Sequence, residues 1–173
     1  LCIGDRRHHN SDAKCARQIG HAGAKASTRL AWEGIDQPLK EGNWPIVSAS
    51  EQQYLPGVSQ TAKAMTLEDM AQVKADFVRS TQDAADIGVD WLELHCAHGY
   101  LLASFLSPAT NQRTDEYGGS LENRCRYPLE VFTALRAVWP ADKPLSVRIS
   151  AHDWLPDGNT ADDAIAIARL FKA

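Results

Sequence analysis

The chain has 173 residues, 44% of them hydrophobic and 23% charged, with a formal charge of −4 at pH 7. That balance excludes a disordered polymer and suffices for one domain with its own core, and the negative charge offers no basic field for nucleic acid or an anionic membrane surface. Cys2, Cys15, Cys96 and Cys125 stand far apart with no C-x-x-C spacing, which argues against a zinc ribbon or a disulfide scaffold and for free thiols in a reducing cytoplasm.

No stretch approaches the roughly 18 apolar residues of a membrane span, and no basic-then-apolar leader opens the chain. A start at Leu1 without Met suggests an internal piece of a longer protein. Residues 1–12 are polar and rich in His and Arg. Residues 13–19 form a strand-like run that stops at Gly20-His21-Ala22-Gly23. From 24 to about 65 Pro and Trp are scattered without a sustained period, so a long excursion with a small hairpin is expected.

Thr66, with Asp69 three residues on, opens a helix over about 67–87, along which Met70, Val73, Phe77, Ala84 and Ala85 recur at helical spacing. After Gly88, residues 89–94 read as a strand, and residues 101–106 as a short helical turn. Ser120 caps a second long helix, whose apolar face of Leu129, Phe132, Leu135, Ala137 and Val138 runs to Pro140. Residues 144–150 form a third strand, and Thr160 with Asp163 starts a last helix over 161–172.

Strands separated by long helices pair in parallel through right-handed crossovers. The fold class is therefore α/β, as a doubly wound sheet or part of a (β/α)8 barrel. In either, strand ends face the ligand. His21 follows the first strand, His95 and His98 the second, and residues 148–152 the third.

His95-x-x-His98 admits three readings. A metal pair would lack the glutamate of H-E-x-x-H and a third ligand at a diagnostic distance. Histidines that cap a strand end are the bland alternative. Two imidazoles donating hydrogen bonds to a substrate oxygen is the reading favoured here. Tyr100, a phenol of reference pKa about 10, keeps its proton at neutral pH yet can give it to a carbanion. Arg148, between Val147 and Ile149, is a strand charge that needs an anion, either in a structural ion pair or from a cofactor that becomes negative on reduction. Gln18 can both donate and accept, which suits the edge of a heterocyclic imide. Residues 111–124 read as structural: Arg113, Asp115, Glu122 and Arg124 as an ion-pair network, and Gly118-Gly119 as a turn.

Gln18-Ile19-Gly20-His21-Ala22-Gly23, Leu94-His95-Cys96-Ala97-His98-Gly99-Tyr100-Leu101, Phe105-Leu106-Ser107-Pro108, residues 111–124 and Ser146-Val147-Arg148-Ile149-Ser150 together resemble the Old Yellow Enzyme family of FMN-dependent NAD(P)H oxidoreductases, from Lys14 onward. The resemblance implies a (β/α)8 TIM barrel with FMN at the C-terminal ends of its strands. Hydride passes from NADH or NADPH to the flavin and then to an electron-poor alkene. It assigns Gln18 and Arg148 to the flavin, His95 and His98 to the substrate oxygen, and Tyr100 to proton donation. Residues 23–45 look closest to the reductase-like part of bifunctional CoA-thioester hydroxylase/oxidoreductases acting on aminobenzoyl-CoA or salicylyl-CoA. The substrate would then be a dearomatised ring carried as an aromatic CoA thioester derivative. Many relatives carry Arg after His-x-Gly, where this chain has Ala24.

A closed barrel takes about 250 residues, so the expectation is a central fragment. It would span residues 1–173, carry about three of eight parallel strand-helix units, and lack the N-terminal and C-terminal ones. Alone it would expose two sheet edges and either be poorly soluble or pair with a partner, and it would be inactive. The full-length protein would be a cytoplasmic enzyme and a candidate homo-oligomer. Two alternatives are a metal-dependent hydrolase or lyase using His95 and His98, and a non-catalytic remnant unable to bind FMN.

Overall fold

The computed structural model describes residues 12–172; the polar segment 1–11, Cys2 included, lies outside the described residues. The elements in chain order are β1 (Ala16–Ile19), a 3-10 turn (Gly23–Lys25), α1 (Ala31–Gly34), β2 (Val47–Ser48), β3 (Gln52–Gln53) and β4 (Thr61–Ala64). There follow α2 (Leu67–Asp86), β5 (Trp91–Cys96), α3 (Leu101–Leu106), α4 (Leu121–Val138), β6 (Leu145–Ile149) and α5 (Ala161–Lys172). The main sheet has the order β1-β5-β6, and both pairings are parallel. These are three consecutive strand-helix units of a (β/α)8 barrel, with the long helices on one face.

Period-2 alternation decides which side of the sheet is core. Leu92, Leu94 and Cys96 are buried and pack with Phe105, Tyr127, Val131 and Leu135 in one hydrophobic cluster. Trp91, Glu93 and His95 alternate with them and point to the other side. Full burial of such a leucine contributes about 1.5–3 kcal/mol.

The capping box opening α2 is complete, with Asp69 N–H donating to Thr66 Oγ1 at 3.1 Å and Thr66 N–H to Asp69 Oδ2 at 2.9 Å. Met70, Phe77, Thr81 and Ala84 then fall on its buried stripe. On α4 the Ser120 hydroxyl accepts from Asn123 N–H at 3.3 Å. Tyr127 reaches across to α2 and donates its phenol proton to Met70 O at 3.0 Å.

In residues 24–65, β3 and β4 pair antiparallel, and β2 joins β4 in parallel. This small sheet is held to the rest by Ala49 N–H donating to Ser104 Oγ at 3.0 Å, and by Arg113, which donates to Ala49 O at 3.0 Å and Met65 O at 2.7 Å.

Two local expectations are corrected. The second main strand starts at Trp91 and runs to Cys96, so His95 is a ladder residue, placed beside Arg148 in register. The start is delayed because the Asp90 carboxylate accepts from Cys15 N–H at 2.9 Å and from the Lys14 ammonium at 3.2 Å, and is used as a turn group. In the 111–124 segment Arg113 does bind Asp115, Nη2 to Oδ2 at 2.6 Å. Arg124 instead donates to Leu106 O at 2.9 Å, Gly119 O at 2.6 Å and Asn159 Oδ1 at 3.4 Å. Residues two apart on a helix face different ways, so Arg124 is buried under the turn while Glu122 faces solvent. Among the described residues no helix is long and apolar enough to cross a membrane.

Candidate active site

The side of the sheet turned from the helices carries polar groups in register. Gln18, Glu93 and Ser146 form one row, and His95 and Arg148 lie one step nearer the C-terminal ends. Gly20, just past β1, leaves room there: a Cβ on it would lie 3.1 Å from His95 Cβ.

Beyond Cys96 the chain reverses through His98 and Gly99, both left-handed at φ 60° and 69°. A left-handed non-glycine residue is uncommon and needs support from its surroundings. His98 N–H donates to Ser150 Oγ at 3.1 Å, and His98 O accepts from the Lys25 ammonium at 2.7 Å. Tyr100 then begins α3, with Leu101 N–H donating back to His21 O at 3.0 Å.

The loop gathers three rings. The His95 and His98 centroids are 5.0 Å apart, His95 and Tyr100 5.1 Å, and His98 and Tyr100 6.4 Å, all edge to face. Ala97 N–H donates to His95 Nδ1 at 3.4 Å, which leaves the proton of the neutral ring on Nε2. Burial, then the nearby His98 and Arg148 charges, lower the His95 pKa, against a smaller upward pull from Glu93. His95 is thus a neutral donor at physiological pH. His21 is similarly held down by burial, its Nδ1 accepting from Gly23 N–H at 3.0 Å.

Arg148 is exposed on the open face, and no carboxylate or carbonyl partners it among the described residues. The structural ion-pair reading therefore has no partner among the described residues. The Gln18 side-chain nitrogen donates to Glu93 Oε1 at 2.6 Å, and Glu93 Oε2 accepts from Ser146 Oγ at 3.3 Å. With its nitrogen so engaged, the Gln18 amide leaves its oxygen as acceptor. A cation and an oriented amide oxygen on the same face of the sheet, on the two strands that flank β5, fit the pyrimidine edge of a flavin, whose imide N–H is a donor and which gains negative charge on reduction.

Next to the rings lies an open cavity of about 700 Å³, whose lining includes Lys25, Tyr54, His98, Arg148, His152 and Trp154. Lys25 and Glu93 are members of this site with no sequence signal of their own, because each acts on a residue more than seventy positions away. His95 and His98 stand as a pair: among the described residues no group of three His, Cys, Asp or Glu side chains is placed to hold a metal.

A parallel arc with helices outside, polar side chains within and titratable loops at the strand ends is the frame of a barrel oxidoreductase. Residues 5–173 match the profile of the NADH:flavin oxidoreductase / NADH oxidase family. The chain belongs to that family, which is the Old Yellow Enzyme family.

It is 46% identical over 150 residues to an NADH:flavin oxidoreductase of Gibberella zeae, covering 84% of this chain and 36% of that protein. It is 40% identical over 166 residues to an NADPH dehydrogenase of Halalkalibacterium halodurans, covering 96% and 44%. The chain thus spans less than half the length of these two relatives. Among solved structures it is similar to 2-naphthoyl-CoA reductase in complex with 2-naphthoyl-CoA, with a TM-score of 0.81 and 29% identity, over 97% of this chain and 26% of that one. The old yellow enzyme homologue of Zymomonas mobilis shares the fold, with a TM-score of 0.76 at 22% identity, over 96% and 46%.

Proposed function

We propose that this chain supplies the substrate-activating wall of an FMN-dependent oxidoreductase that uses NAD(P)H to reduce an electron-poor alkene or a dearomatised ring. The observation that carries the reading is the ring triangle of His95, His98 and Tyr100, standing beside the strand that bears Arg148.

Arg148 and Gln18 would hold the flavin, and FMN, when bound, supplies hydride exchange with nicotinamide and substrate. The neutral His95 Nε2–H and the His98 imidazole donate to a carbonyl or phenolate oxygen of the substrate. Their hydrogen bonds strengthen as that oxygen gains charge, and a single such donor is typically worth about 3–4 kcal/mol in the transition state. Tyr100 gives its phenolic proton to the carbon left anionic after hydride addition, and solvent restores the proton.

An aromatic CoA thioester derivative is the substrate class we favour, on two grounds. The cavity beside the rings combines Tyr54 and Trp154 with the cation Arg148, and the 2-naphthoyl-CoA reductase complex is structurally similar. Cys15, Cys96 and Cys125 are free thiols, which fits work in a reducing cytoplasm.

The test is Tyr100→Phe in the full-length, FMN-loaded enzyme, followed by stopped flow. Substrate reduction should slow by about 10²–10⁴-fold, the usual worth of a general acid, while reduction of the flavin by nicotinamide stays within about twofold. Equal losses in both half-reactions would reject Tyr100 as the acid.

A further inference from the structure

Lys25 is where three separate segments meet. Its ammonium donates to His98 O at 2.7 Å, lies 4.2 Å from the centroid of the Tyr54 ring and 5.5 Å from that of Tyr100. Its backbone is fixed in the 3-10 turn, with Lys25 N–H donating to Ala22 O at 3.1 Å. That turn is seated against the start of α3, since a Cβ on Gly23 would come within 2.9 Å of Leu101 N. Lys25 is thus aimed from a fixed base at the loop that carries His98 and Tyr100.

The loop needs such a tie. His98 holds a left-handed conformation that a residue with a side chain adopts at a cost, and its carbonyl accepts a charge-assisted hydrogen bond from Lys25, stronger than a neutral one. Gly99 leaves the approach open: a Cβ there would lie 3.4 Å from the ammonium. The cation is also within the range of cation–π attraction of both Tyr100 and Tyr54, the latter just beyond β3.

We propose that Lys25 is a positioning residue: it clamps the 98–100 loop in the conformation that presents His98 and Tyr100 to substrate, and it ties Tyr54 to that loop. The proposal rests on the role given above to Tyr100, yet the clamp itself can be measured apart from that role.

The experiment uses the full-length, FMN-loaded enzyme with Lys25→Met, Lys25→Arg and the double variant Lys25→Met/Tyr100→Phe. Hydrogen exchange over residues 97–101 should speed up in Lys25→Met, with β5 unchanged, and return toward the parent rate in Lys25→Arg. At saturating substrate, Lys25→Met should slow substrate reduction about tenfold, as expected for a small misplacement of a reacting group, with flavin reduction by nicotinamide within about twofold. That loss should shrink in the Tyr100→Phe background, leaving only the part carried by His98.

Unchanged exchange over 97–101 would overturn the clamp. So would an equal loss in both half-reactions, or a full loss persisting without the Tyr100 hydroxyl. If Tyr100→Phe alone leaves substrate reduction intact, the acid assignment fails, and the exchange result alone decides the clamp. Should Lys25→Met not accumulate, Lys25→Gln, which is shorter and uncharged, is read in the same way.

Discussion

His95 is 7% exposed and stands beside Arg148 in the ladder, so protonating it would bury one cation beside another. Its pKa is lowered in the folded state, as is that of half-buried His21, so on acidification the unfolded chain binds protons first, at about pH 6.5. The stabilisation from the two neutral rings is complete above about pH 6.5 and is lost as pH falls toward their folded values. Thermal melts of the full-length enzyme should therefore drop between about pH 7.5 and pH 5.5, above the range where carboxylates titrate, and His95→Gln should shrink the drop. A His95→Gln melting curve that keeps the parent pH slope would contradict this. The ring cluster was legible in the sequence because His95, His98 and Tyr100 sit within six residues and a tight reversal must bring them together. The tie of Glu93 to Gln18 was not, since it joins side chains 75 positions apart and depends on a strand register that no local pattern encodes.

Among the elements, the long helices declared themselves through caps and periodicity, and α2, α4 and α5 have strong signals at both levels. The two-residue strands β2 and β3 are too short to carry a period, so the parallel pairing of β2 with β4 was invisible. The second strand ran two residues later than its apolar pattern, because Asp90 is spent on Cys15 and Lys14. The turn after β1 is seated closely against the start of α3. Gly23 has φ 60° and no space for a side chain against the Leu101 backbone. Gly23→Ala should destabilise the fold by about 1–3 kcal/mol through strain at a left-handed position, seen as a lower denaturation midpoint. It should also displace the ring loop, seen as weaker binding of substrate-like phenols. Unchanged midpoint and unchanged binding would show that α3 can slide to accept the methyl.

At the scale of the whole molecule, one side of the parallel sheet is packed with leucines and aromatics while the other bears Gln18, Glu93, His95 and Arg148. Parallel sheets are ordinarily covered on both faces; a polar inner face suits a barrel wall that receives a ligand at its strand ends. The order of strands and helices made this arc readable, whereas the way cations and aromatics share one cavity required three dimensions. The central claim is that His95 and His98 hold a substrate oxygen above a flavin bound by the neighbouring strands. Its most direct test is titration of a phenol into the full-length, FMN-loaded protein, read by the long-wavelength charge-transfer band of a phenolate over oxidised flavin. The parent protein should show the band, and His95→Ala should weaken binding about 10- to 100-fold, the worth of a hydrogen bond to a charged group. An unaltered titration curve in His95→Ala would contradict the account.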